Sequence, residues 1–309
     1  MSEGRSFAGK KSIRNWPEYN AGLVKRYDVT VHIDPAALQK PVPVEGRRGR
    51  PPEYSCGLIE MGLVIKAVYR LPYRGLEGFL RSILGPGTAL PDYTTFCLRA
   101  DGATDKIIKL AKRGEPVHMV VDTTGLKVFG EGEWKVRQHG ASKRRTWRKL
   151  HLALDEKTQE ILVADLTFNS TGDQEHLPAL LGDVPDGIAL EQVTADGIYD
   201  SHACYAVVDR KGAVLVTPPR MNSRLPRGRP RQCEPLRTHA LRACKRMGRT
   251  RWKIAHRYHR RSLAETAVYR FKTSFGGKLA SRVYEKQKTE ALIKAKTLNT
   301  FRRLAAPAY

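Results

Sequence analysis

Tyr258-His259-Arg260-Arg261-Ser262-Leu263-Ala264-Glu265-Thr266-Ala267-Val268-Tyr269-Arg270-Phe271-Lys272 sets one carboxylate, Glu265, four residues after Arg261, seven after Tyr258 and seven before Lys272. At 3.6 residues per turn these offsets predict a helix carrying Tyr258, Arg261, Glu265 and Lys272 along one face. One acid among two cations and a phenol suits a site that holds a metal ion beside a polyphosphate backbone. The same spacing also suits a solvated helix face with a single i,i+4 Arg–Glu pair. The rest of the chain has to decide between them.

Immediately upstream, residues 210–261 carry seventeen Lys and Arg against one acid, Glu234. A folded core has no use for that imbalance, whereas a phosphate-facing surface does. The whole chain of 309 residues follows suit, with 55 Lys and Arg, 31 Asp and Glu and a formal charge of +24. Such an excess points to a polyanion, and to nucleic acid before membrane, because no basic amphipathic helix with a bulky apolar face stands out. Met1 to Ala8 lacks the apolar core of a signal peptide, and no later run approaches about eighteen apolar residues, so the expected location is the cytoplasm. The five cysteines are scattered and never form a C-x-x-C pair, which argues against a disulfide framework or a structural zinc site. Cys233, His239 and Cys244 make at most a partial metal site.

Further upstream, Pro116-Val117-His118-Met119-Val120-Val121-Asp122 reads as a buried strand with its carboxylate at the far end. Packing alone gives no reason for an acid there. Residues 145–154 and 161–168 predict a hairpin around Asp155-Glu156-Lys157-Thr158, and Asp173 to Leu181 a helix. Val193-Thr194-Ala195-Asp196 is a second strand ending in an acid, followed by a helix from Ser201 to Asp209 and a strand over 213–217. Asp200 reads as the cap of that helix. This order predicts an α/β layer fold with one mixed sheet, and Asp122 and Asp196 leave their strands where such sheets gather ligands. Glu285 to Leu304 predicts a closing amphipathic helix, and Trp134, Trp147 and Trp252 suit stacking on a flipped base but are expected rather to pack.

The N-terminal third differs. Residues 1–53 form a basic arm or linker with strand-like fragments such as 28–33. Arg47, Arg48 and Arg50 lie in a Gly-Arg-Arg-Gly-Arg-Pro run that resembles an AT-hook, and Arg227, Arg229 and Arg231 form a second copy. Residues 54–112 predict a helical DNA-binding region: a buried helix ending before Leu71-Pro72, a helix from Leu76 to Leu84 stopped by Gly85-Pro86-Gly87, and a last helix capped by Asp92. Three helices so arranged suit a helix-turn-helix, the alternative being a small helical bundle that does not touch DNA.

Asp122, Asp196 and Glu265 together supply oxygen ligands for a hard cation, Mg²⁺ or Mn²⁺, and two such ions can promote in-line displacement at phosphorus. With 31 carboxylates to choose from, the local context of each matters more than the count. Tyr258-x₂-Arg261-x₃-Glu265-x₆-Lys272 is similar to the signature around the catalytic glutamate of DDE-class bacterial insertion-sequence transposases. Val121-Asp122-Thr123-Thr124-Gly125-Leu126-Lys127 resembles their first-acid region, and Ala195-Asp196-Gly197-Ile198-Tyr199-Asp200 their second. The match spans about 116–300 in the right order and is nearest to the insertion-sequence-five family.

The resemblance implies an RNase H-like core over 113–309, with a basic segment 218–257 inserted before the Glu265 helix. It implies Asp122, Asp196 and Glu265 as metal ligands for two Mg²⁺ ions. Arg261 and Lys272 would then hold phosphates, with Tyr258 supporting the site or the DNA. The implied partners are the element's terminal inverted repeats and target DNA, bound by a dimer or larger multimer at the bacterial nucleoid. The competing readings are a nuclease or resolvase of the same fold, which cuts without joining, and a DNA-binding regulator whose core is only scaffold.

Overall fold

The structure, a computed structural model, describes residues 15–41, 52–104, 115–128, 147–184, 187–225 and 234–305. Helix α1 (Trp16–Lys25) starts where the Asn15 side chain accepts the Glu18 N–H at 3.2 Å and Pro17 occupies the first turn. The 28–33 stretch is not strand-like. It forms a short 3₁₀ turn, Val29–His32, and a second follows at Pro35–Leu38, each opened by an aspartate (Asp28, Asp34) that accepts an N–H two residues on. Local capping has overridden the alternating pattern.

Ser55 caps α2 (Cys56–Tyr69), which is followed by α3 (Tyr73–Leu84) and the six-residue α4 (Tyr93–Leu98). As expected, Asp92 caps α4 through the Thr95 N–H, at 2.7 Å. Leu58, Ile65, Leu76, Leu80 and Phe96 bury together, and Ile293 from the last helix joins them. The helical region is therefore seated on the core rather than tethered beside it.

The core begins with β1 (Val117–Val128), β2 (Trp147–Asp155) and β3 (Ile161–Phe168), continues through α5 (Asp173–Gly182), β4 (Leu190–Thr194), α6 (His202–Arg210) and β5 (Val214–Val216), and then enters the basic segment as α7 (Glu234–Met247) and α8 (Arg249–Ala255). It closes with α9 (Ser262–Phe275), the two-residue β6 (Lys278–Leu279) and α10 (Tyr284–Leu304). The sheet order is β3-β2-β1-β4-β5, with β6 pairing the end of β1. Strands β1, β2 and β3 run antiparallel in turn, while β4 runs parallel to β1 and β5 to β4.

Side chains alternate across each strand, so β1 serves two cores. Val117, Met119 and Val121 pack with Leu177 and Leu180 of α5 and Cys204 and Val208 of α6. On the other face Val120 meets Ala264 and Ala267 of α9, and Leu126 meets Phe271, Leu292 and Ala295. Buried Asn299 of α10 exchanges two 2.8 Å hydrogen bonds with the backbone of Ile161, satisfying peptide groups of the edge strand β3. This mixed sheet flanked by helices is consistent with an RNase H-like core. Among the described residues, no helix is long and apolar enough to cross a membrane.

Candidate active site

Strands β1 and β4 stay paired only as far as Val120 and Thr194. Asp122 stands two residues past the first of these and Asp196 two past the second. In a parallel pair, residues at matching offsets face the same side, so both acids emerge on the α9 face where the strands part. Asp122 is not at the end of its strand, as the apolar run suggested. It lies mid-strand, because β2 keeps pairing with β1 as far as Lys127 and β6 picks up Lys127 and Val128 on the other edge.

Glu265 reaches the same face from the first turn of α9, where a helix favours a negative charge. The small Ala264 and Ala267 let that helix lie close on Val120 and Leu154. The single helix expected over 258–272 is instead a 3₁₀ turn, Tyr258–Arg261, running into α9. Arg260 pins this turn to Glu156 in the β2–β3 hairpin at 2.7 Å. Lys272 lies about two turns beyond Glu265, on the exposed surface of α9.

Arg261 joins two of the acids. One terminal nitrogen stands 3.6 Å from Asp122 Oδ1 and the other bonds the Glu265 carboxylate. Burial raises the Asp122 carboxyl above the ordinary aspartate range; Arg261 pulls it back, and the charges of Asp196 and Glu265 push it up again. The three acids thus feel one another's charge. Among the described residues no three His, Cys, Asp or Glu side chains converge into a metal cage, and a guanidinium stands between Asp122 and Glu265. By donor chemistry the trio fits a hard divalent cation.

The Asp196 turn is braced from several sides. Asp196 accepts the Ile198 N–H at 2.8 Å, and the Thr217 hydroxyl donates to its carbonyl at 2.5 Å. Arg220 donates to the carbonyls of Gly197 (3.2 Å) and Ile198 (2.6 Å) and to Gln174 (2.8 Å). Asp200 is not the cap of α6, because Ser201 takes that place by accepting the Cys204 N–H. Asp200 instead receives Arg237 of α7, Ser223 and the Arg220 N–H, which fastens the basic segment to the turn.

Tyr258 packs beside Val216, Ala243 and Trp252, and burial raises its phenol pKa. Together with Lys253, Ile254, Arg261 and Glu265 it lines an open groove of about 280 Å³. Trp252 is buried at 1% exposure, in keeping with a packing role, and Cys244 lies beside it. Arg47, Arg48, Arg50, Arg227, Arg229, Arg231, Trp134 and Cys233 lie outside the described residues. Local patterns did not point to Arg220, Arg237 or the bonded set Thr123, His151 and Tyr199. The one local signal was the Tyr of the Asp-Gly-x-Tyr core.

Residues 113–300 match the family described as "Transposase DDE domain", and a second family of the same description matches 24–131. Among solved structures the chain is similar to the piggyBac transposase, seen by cryo-electron microscopy in a synaptic complex with hairpin DNA, at 11% identity and a TM-score of 0.43 over 92% of this chain and 74% of that one. With its family match running through all three acids, the chain belongs to the Transposase DDE domain family and is a DDE-class transposase, a polynucleotidyl transferase and endonuclease.

Proposed function

We propose that this transposase serves a bacterial insertion sequence of the insertion-sequence-five kind, acting at the nucleoid. In this reading it binds the terminal inverted repeats of its element as a dimer or larger multimer, cleaves to expose 3′-hydroxyls and transfers those ends into target DNA. One observation carries the assignment of the site. Asp122 and Asp196 emerge on one face where two parallel strands part, and Glu265 lies in the first turn of the helix covering that face.

Asp122, Asp196 and Glu265 would hold the divalent ions, Mg²⁺ or Mn²⁺ in its place and two per site, and the bound metal would supply Lewis-acid chemistry at the reacting phosphate. The chain's own side chains do the positioning. Arg261, forked and permanently charged, turns from the acids to a phosphate oxygen when the backbone enters. Lys272 holds a phosphate two turns away, and Tyr258 supports the groove wall. The helical region 54–112 and the basic segment 218–257 grip the duplex, with the arginines at 47, 48, 50, 227, 229 and 231 reaching its grooves.

The test uses a labelled terminal-repeat duplex and a supercoiled target, with Mg²⁺ or EDTA, for wild type and for Asp122→Asn, Asp196→Asn and Glu265→Gln. Each amide removes a ligand charge at nearly constant volume. Joined products that need the metal and vanish in all three variants, with DNA binding kept, support the transposase site as assigned. Cleavage without joining would favour a nuclease or resolvase. Variants that match wild type would remove the assignment.

A further inference from the structure

At the far end of α9 from Glu265, the chain leaves Phe275 and turns into β6. There α2, α9, β6 and α10 enclose a cavity of about 170 Å³. Its walls are largely apolar, with Leu63, Ala67, Phe275, Leu279 and Ile293 among them. Two half-buried lysines, Lys66 of α2 and Lys286 of α10, face into it.

Neither lysine has a carboxylate within 4.0 Å among the described residues. Lys66 Nζ stands 4.8 Å above the Tyr73 ring, and Lys286 Nζ reaches Cys97 Sγ at 3.6 Å. Burial lowers the pKa of Lys66. The acid that lines the cavity, Glu290, is already committed: it takes Lys294 at 2.7 Å and the N–H groups of Ala280 and Ser281 at 3.0 and 2.9 Å. Arg70 spends its guanidinium on the carbonyls of Thr273 and Ser274. The cavity is therefore a largely apolar hole whose cations outnumber its one lining acid. Glu290 also acts on Lys66, but Lys66, Lys278 and Lys286 have no carboxylate within 4.0 Å among the described residues, an arrangement that an entering anion relieves.

We propose that this cavity is a binding site for a small anion with a ring-sized apolar body, such as an aromatic carboxylate or phosphate monoester, held by Lys66 and Lys286. An apolar cavity of about 150 Å³ accommodates one benzene ring, so the volume suits a ring-sized ligand. The walls come from both the helical region and the core. An occupant touches both, and so favours the seating of α2 on α10 that the structure has. The site involves none of the three acids and stands whether or not they cut DNA.

Calorimetric titration of the full chain with phenyl phosphate and with benzoate tests the proposal. Benzyl alcohol serves as the ring without charge and inorganic phosphate as the charge without ring, and the proteins are wild type, Lys66→Met and Lys286→Met. At least one ring-bearing anion binds one per chain, and each methionine weakens it about tenfold or more. Both control compounds bind at least about tenfold more weakly than that anion. The melting temperature of each variant checks its fold, and Lys286→Met carries the test if Lys66→Met does not fold. Inorganic phosphate binding as tightly as phenyl phosphate, or both folded variants binding like wild type, or no saturable heat with either ring-bearing anion, would overturn the site.

Discussion

The Thr123 hydroxyl lies 3.2 Å from the Tyr199 phenol oxygen and 3.0 Å from His151 Nδ1, tying β1 and β2 to the turn after β4 on the face opposite Asp122. The other His151 nitrogen meets the Thr167 hydroxyl of β3 at 2.8 Å. Burial, with His176 alongside, pushes the His151 pKa down to about 4, so the ring is neutral at working pH and can both donate and accept. One hydroxyl thus fixes the spacing of the strands that carry Asp122 and Asp196. Thr123→Val leaves the Tyr199 and His151 groups without that partner and should cost about 1–3 kcal/mol in urea unfolding. Tyr199→Phe should cost about 1 kcal/mol, and the double variant less than the sum. Strict additivity would show that the hydroxyls are not coupled.

Asp200 and Arg237 make a pH-dependent contribution. Burial alone would raise the Asp200 carboxyl, but the bonds from Arg237, the Arg220 N–H and Ser223 outweigh it and hold the pKa below the ordinary aspartate value. A depressed folded-state pKa stabilises above the unfolded value of about 3.9, and that stability is lost as pH falls through the folded value. Arg237→Met strands a carboxylate whose side chain is 0% exposed and should cost about 3–5 kcal/mol at pH 7. In the variant Asp200 protonates more readily, so the deficit should narrow toward pH 4. Urea midpoints at the two pH values check this, and a deficit that does not narrow would mean the pair is not the source.

The succession of strands along the chain was legible because each acid ends an apolar run and the turn between β2 and β3 is written in Asp155 to Thr158. Asp122 was misjudged because the apolar run stops there while hydrogen bonding continues: β2 extends to Trp147 and β6 arrives from residue 278. Asp200 was misjudged for a similar reason, since its partner Arg237 lies 37 residues on, within a run that looked uniformly phosphate-facing. Helix α1 was overlooked although Asn15, Pro17 and Glu18 spell a helix start. Partnerships distant in sequence leave no local pattern, and neither does the cavity beside Lys66.

Gly62 on α2 faces the ring of Phe96, which is 0% exposed. An added methyl would overlap Cε1 and lie 2.9 Å from Cζ, and a fully buried ring has nowhere to go. Gly62→Ala should therefore destabilise the helical region by about 1–3 kcal/mol. Gly78 on α3 meets nothing within 4 Å, so Gly78→Ala should stabilise by up to about 1 kcal/mol through the intrinsic cost of glycine in a helix. Thermal melts of the two variants should move in opposite directions. A Gly62→Ala protein as stable as wild type would mean that α2 and α4 are not packed through this contact.

Arg261 is the counter-ion of Asp122 and Glu265 at once, 3.6 Å from the first and hydrogen-bonded to the second. A divalent cation entering among the acids must overcome this fixed positive charge, which at such distances and an effective dielectric near 20 is a substantial repulsion. Arg261→Gln should therefore bind Mn²⁺ more tightly than wild type in the absence of DNA, by about tenfold, as read by calorimetry or by the loss of the free-ion paramagnetic resonance signal. If Arg261 holds a phosphate as proposed, the same variant should cleave terminal-repeat DNA more slowly, because that phosphate loses its forked donor. Arg261→Lys keeps the charge but not the fork, so its Mn²⁺ affinity should stay near wild type while cleavage still falls. The opposed directions of metal affinity and cleavage separate competition by Arg261 from general damage to the site, which would weaken both. Mn²⁺ binding in Arg261→Gln no tighter than in wild type would show that the guanidinium does not stand in the metal's way.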